Sequence, residues 1–200
     1  MREIPPDHPL RFSVAEFNRG IDVFKVMRDI SRPFSDHEAA WREVLHRVER
    51  IYSKTKAASA GKPDWPAINS EISHLRKTDP LLVYVQQARH ADEHSIQHVA
   101  TDWDAQLSVE RVADGSIRVS WKPWDRQLLP VTNRGVTYNP PRIHLGKDLS
   151  PLLGKGNEES VIVASKALQF YGRFVNHVSA TLFPGFGAGG ELTSDVRHSG

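Results

Sequence analysis

Apolar residues recur every three to four positions through helix-length stretches before Trp103, at every second position for a short stretch after it, and every three to four again after Glu158. No other feature limits the fold as much, because a 3.6-residue period builds amphipathic helices and a two-residue period builds half-buried strands. The order predicts an α+β chain, mainly α: a bundle of about five helices with a small antiparallel β hairpin or sheet inserted before the last one. Ser13 is the expected cap of the first helix, SVAEFNRGIDVFKVMRDI, with Glu16 completing a capping box. Ser35 or Asp36 opens the second, whose stripe Ala40, Val44, Leu45, Val48, Ile51, Tyr52 ends near Gly61, and Asp64 caps a shorter third. Asp79 caps the fourth, over residues 81–100, with Pro80 in its first turn.

The stretches AQLSVERV and SIRVSWKPW form the predicted hairpin, turning at Asp114-Gly115. LLPVTNRGVTYNPPRIHLGKDL follows with several turn signals, expected to run extended across the helices with a short strand at RIHL. NEESVIVASKALQFYGRFVNHVSATLF is the last long helix. These boundaries give one domain over 1–183, made of helices one to four (1–104), a β insertion and crossover (105–146) and the last helix (147–183), with a flexible glycine-rich tail over 184–200. No internal repeat is visible.

Composition narrows the function classes. Hydrophobic residues are 39% and charged residues 25% of the 200, a globular balance, and a net charge of +2 provides no global field for nucleic acid, so any basic surface is local. The absence of cysteine removes disulfides, thiolate nucleophiles and thiolate metal ligands. No apolar run approaches the roughly 20 residues of a membrane span, and MREIPPDHPLRF lacks the apolar core of a secretory signal. A cytoplasmic protein without a membrane partner is expected.

Most chemistry-bearing residues fall in LLVYVQQARHADEHSIQHVA, the fourth helix. At about 100° per residue, Leu81, Val85, Ala88, Ile96 and Val99 gather on one side, with Leu82 and Tyr84 at its edges. Asp92 falls inside this apolar arc, where a carboxylate is costly unless paired. Arg89 lies near the edge of the arc, while His90, His94 and His98 form a row on the polar side. A bland reading is a solvated face with an internal pair from Arg89 to Glu93 or Asp92, serving a non-enzymatic interaction or dimerisation module in which Arg89, Asp92 and Glu93 are a structural network. A metal reading takes His90 and His94, one turn apart, as zinc ligands. HADEH has the His-x-x-Glu-His order of inverted zinc peptidases, and Glu158 or Glu159 would supply the third ligand. Those peptidases use larger domains, and no metal or cofactor is expected.

RHADEH also resembles the Arg-x4-6-His motif of the HEPN superfamily, in which Asn, Asp or His commonly follows the arginine, and the plan of four or more helices with the motif inside a late one is similar too. The resemblance covers six residues by motif and about 130 by bundle pattern. It implies metal-independent RNA cleavage by a homodimer in which the motifs of two protomers meet, in a toxin or defence setting with an antitoxin-like protein partner. His94 would act as acid or base and Arg89 would bind phosphate, with His90, Asp92 and Glu93 in support. The β insertion and the proline-rich crossover depart from the minimal bundle of that superfamily, and many of its members bind without cleaving.

Trp121, Lys122, Trp124 and Arg126 in WKPWDR are candidates to stack on and neutralise single-stranded RNA, although such tryptophans more often seal a hairpin onto a helix. Tyr171, Arg173 and His177 of the last helix either border the same cleft or include a solvated i,i+4 pair. GKDLSPLLGKGNEES lacks the order of a phosphate-binding loop and reads as a linker.

Overall fold

A computed structural model describes residues 4–29, 31–94, 100–103, 106–111, 117–122, 125–141 and 159–186, with the side chains of 94, 101–127 and 159 left aside. The described chain is mainly helical: α1 (Arg11–Arg28), α2 (Phe34–Ser59), α3 (Trp65–Thr78), α4 (Pro80–His94) and α5 (Glu159–Leu182) surround one core. Among the described residues no helix is long and apolar enough to cross a membrane.

Helix α2 is the central element because its stripe is long and continuous. Trp41, Val44, Leu45, Val48 and Ile51 are buried along successive turns, and α1, α4 and α5 all pack on it. Its first turn is also the meeting point of three helices. The fully buried His37 places Nδ1 3.1 Å from the Met27 carbonyl and Nε2 2.8 Å from Ser160 Oγ at the start of α5. A carbonyl only accepts, so Nδ1 carries the proton and Nε2 accepts from the serine hydroxyl.

Helix starts follow the expected positions more closely than the expected capping bonds. Asp79 caps α4 as anticipated, its Oδ1 accepting from Leu81 N–H at 2.9 Å and Leu82 N–H at 3.1 Å. Asp64 precedes α3 without a side-chain capping bond, and α2 begins at Phe34, after Pro33. The capping box at Ser13 is not realised. Helix α1 starts at Arg11, so Ser13 lies inside it, buried, with its hydroxyl 3.0 Å from Thr55 Oγ1, and Glu16 pairs with Arg19 and Arg47 instead. The buried Leu10 side chain sets the entry of α1 in place of a polar cap.

Helix α4 is described to His94, and by Ala100 the chain is a strand rather than the expected helical end. Ile96, His98 and Val99 lie outside the described residues. Strands β1 (Ala100–Trp103) and β4 (Asp125–Leu128) pair antiparallel, as do β2 (Gln106–Arg111) and β3 (Ile117–Lys122). Paired residues keep one offset through both ladders, from Ala100 opposite Leu128 to Arg111 opposite Ile117. The expected strand pair is present as β2 with β3, and β1 with β4 is a second two-stranded sheet. The β1–β4 pair is anchored by Ala100 and Leu128, both buried, with β4 against α5. The turn at Asp114-Gly115, Trp124, the RIHL segment, the linker and the tail beyond Phe186 lie outside the described residues.

The segment expected to run extended folds back as a second hairpin, β5 (Val131–Asn133) with β6 (Val136–Tyr138). Arg134 and Gly135 have φ of 50° and 79°, the pair of positive values a two-residue type I′ turn requires. This hairpin lies on α4, where Tyr84 Oη donates to the Leu129 carbonyl at 2.8 Å and Asn133 Nδ2 to Gln87 Oε1 at 2.7 Å. Covering by the hairpin turns the buried arc of α4 towards Tyr84 and Ala91, so Leu81 is only partly buried.

Candidate functional site

The buried stripes of α2 and α4 pack together, so the polar rows on their flanks also meet. On α2, Glu38, Arg42, His46 and Glu49 lie four, four and three residues apart, beside Trp41, Leu45 and Val48. On α4, Arg89, Asp92 and Glu93 border Val85, Ala88 and Ala91.

Asp92 sits between two side chains of α2. Its Oδ1 is 3.1 Å from Arg42 Nε and its Oδ2 3.3 Å from His46 Nε2, with its own side chain 13% exposed. The Arg42 contact is an ion pair without a well-directed N–H···O bond. Arg42 also gives Nη2 to Glu38 at 3.0 Å. Arg89, 21% exposed, holds Glu93 by a fork, with Nη2 2.6 Å from Oε2 and Nε 3.1 Å from Oε1, and stands 4.0 Å from Glu49. Glu93 Oε1 is 3.6 Å from His46 Nδ1.

The chain of charges continues inward through Glu49. Arg76 of α3 donates Nη2 to Glu49 Oε2 at 2.7 Å and Nη1 to Tyr171 Oη at 2.7 Å, and its guanidinium lies 4.0 Å from the centre of the Tyr52 ring. Burial pushes the Tyr171 hydroxyl up to about 12, partly opposed by Arg76. Tyr171 is therefore part of the interior, whereas Arg173 and His177 are exposed.

The expected internal pair of Arg89 with Glu93 is present, and Asp92 finds an arginine on another element. His90 is partly buried and His94 closes α4, its side chain outside the described part. Trp121 and Lys122 lie on β3, paired with Leu107 and Gln106, and Arg126 lies on β4, paired with Asp102. Among the described residues, no three or more His, Asp or Glu form a group that could hold a metal ion. Glu158, the alternative third zinc ligand, lies outside them.

Arg42, His46, Glu49 and Arg76 were not singled out by sequence reasoning. The available signal was the polar row of α2 at four- and three-residue spacing beside its apolar stripe.

Chemically, the seam brings together an imidazole, four carboxylates (Glu38, Glu49, Asp92 and Glu93) and two arginines, several of them partly open to solvent. That set can move a proton and hold an anion. No family model, curated protein or solved structure matches this chain.

Proposed function

We propose that the α2–α4 seam is the working site of a HEPN-like protein that binds and cleaves RNA without metal, acting as a homodimer. One observation carries the reading: Arg89 stands at a partly exposed position, engaged by Glu93 from the next turn of its own helix. An i,i+4 pair of this kind is worth about 0.3–0.5 kcal/mol. A phosphate accepts the same fork of donors bidentately, so it displaces Glu93 at small cost and places a permanent cation on the charge that develops in cleavage. The toxin or defence setting and an antitoxin-like partner belong to the same proposal.

A second reading is favoured by the continuity of the network. Asp92 and Glu93 join α4 to Arg42 and His46 of α2, and Arg89 reaches Glu49, as a purely structural network would in an interaction or dimerisation module. RNA cleavage separates the two. Mixed-sequence single-stranded RNA is incubated in EDTA with the wild type, Arg89→Ala and His94→Ala, and product ends are identified while light scattering reports the oligomeric state. The expected products carry 2′,3′-cyclic phosphate, DNA is spared, and each variant loses about 10²-fold or more in rate. Intact RNA from a folded wild-type dimer leaves the interaction module as the function.

A further inference from the structure

Helix α2 brings to the motif on α4 an imidazole that the motif itself does not contain. His46 is 30% exposed, with Nε2 3.3 Å from Asp92 Oδ2 and Nδ1 3.6 Å from Glu93 Oε1. The other described histidines are placed differently. His8 and His37 are buried, each with both ring nitrogens in contacts that hold the fold together, while His74 and His177 are exposed on α3 and α5. His90 is partly buried on α4 itself.

Asp92, ionised, accepts only, so it holds the His46 tautomer with the proton on Nε2 and the lone pair of Nδ1 on the Glu93 side. A proton taken up at Nδ1 produces an imidazolium between two carboxylates, the arrangement that stabilises a base once it has done its work. Glu93 is also the bidentate partner of Arg89.

We propose that His46, oriented by Asp92 and Glu93, is the general base of this site, with Arg89 as its phosphate-binding group; the assignment rests on the RNA-cleaving reading above. In the step so assigned, the O2′ of RNA forms a bond to the adjacent phosphorus and its proton passes to His46 Nδ1. The P–O5′ bond breaks, and the leaving 5′ oxygen takes a proton from His94, the acid of the RNA-cleaving reading. The products are a 2′,3′-cyclic phosphate and a 5′-hydroxyl end, with no oxidant, reductant or metal consumed. Asp92 and Glu93 are positioning residues, since they act through the imidazole.

The test compares the wild type with His46→Ala and His46→Gln on mixed-sequence single-stranded RNA in EDTA, following cleavage rate, RNA binding and melting. Both variants are expected to fold and bind RNA while losing about 10²- to 10⁴-fold in rate. Added imidazole restores part of the rate to His46→Ala, where it can fill the vacated space, and none to His46→Gln, where the amide fills it. A structural role would produce no such rescue. His46→Ala cutting within a few-fold of the wild type, or a lost rate that imidazole does not restore although RNA still binds, overturns the assignment and leaves RNA cleavage standing. If His46→Ala fails to fold, near-wild-type cutting by a folded His46→Gln overturns it equally. Intact RNA from the wild type overturns both the assignment and the RNA-cleaving reading.

Discussion

Asp92 sits where α4 passes from its buried side to its exposed side, and its carboxylate contacts side chains of the neighbouring helix rather than its own. A carboxylate at 13% exposure is stabilised by such partners only in part, because Arg42 is more open to water and keeps Glu38 when Asp92 is removed. Asp92→Ala is therefore expected to cost about 1 kcal/mol, the net worth of a typical hydrogen bond. In a domain of this size that lowers Tm by about 2–4 °C. Asp92→Asn keeps an acceptor for His46 Nε2 and should recover part of the loss. A melting curve of the alanine variant that superimposes on the wild type would show that the contacts contribute nothing net. The anomaly of Asp92 was legible in the sequence, since helical spacing alone places a carboxylate beside apolar neighbours. Its partners were not, because His46 is 46 residues away and nothing local records which stripe packs on which.

At the scale of elements, the helices were legible and the short strands less so, for a physical reason. An 18- to 26-residue helix such as α1 or α2 repeats its apolar spacing over several turns, whereas β5 and β6 have three residues each, too few for an alternation to stand out. The Arg134-Gly135 turn carries its signal in the glycine alone, without the Asn or Asp usually found before it. Helix packing also leaves marks at single positions. A Cβ built on Gly20 of α1 meets Leu168 Cδ2 of α5 at 2.9 Å, and Leu168 is buried with little room to turn away. Gly20→Ala gains up to about 1 kcal/mol of helix propensity and loses about 1–3 kcal/mol to overpacking. The expected outcome is net destabilisation in urea unfolding. Shortening the opposing side chain, in Gly20→Ala/Leu168→Val, should cost less than the sum of the two single changes. Additive costs would mean that the crossing of α1 and α5 is not limited by this contact.

The whole molecule is closed at one end by the segment before α1, which turns at His8 and lies against the last turns of α5. Leu10 N–H donates to His8 Nδ1 at 3.0 Å, His8 Nε2 is 3.3 Å from Ser179 Oγ, and the ring packs against Phe183 and Phe186. A small cavity lined by Ile4, His8, Leu10, Val14, Val175, Asn176 and Ser179 lies along the same seam. Since Leu10 N–H uses the Nδ1 lone pair, the seam requires the neutral imidazole, and protonation sets one N–H against another. Burial moves His8 below its ordinary 6.5, with Asp7 partly opposing, so the folded chain holds this proton less tightly than the unfolded chain. The contribution to stability is thus complete above about pH 6.5 and declines as the pH falls through the lowered value in the folded state. His8→Asn keeps a side-chain acceptor for the N–H two residues on but does not titrate. Urea unfolding of both proteins at about pH 7.5 and about pH 5 should show the wild type losing more stability than His8→Asn between the two. The chain has ten histidines, and taking the difference between the two proteins cancels the other nine. Equal losses would mean that docking of the first residues onto α5 does not depend on the charge of His8.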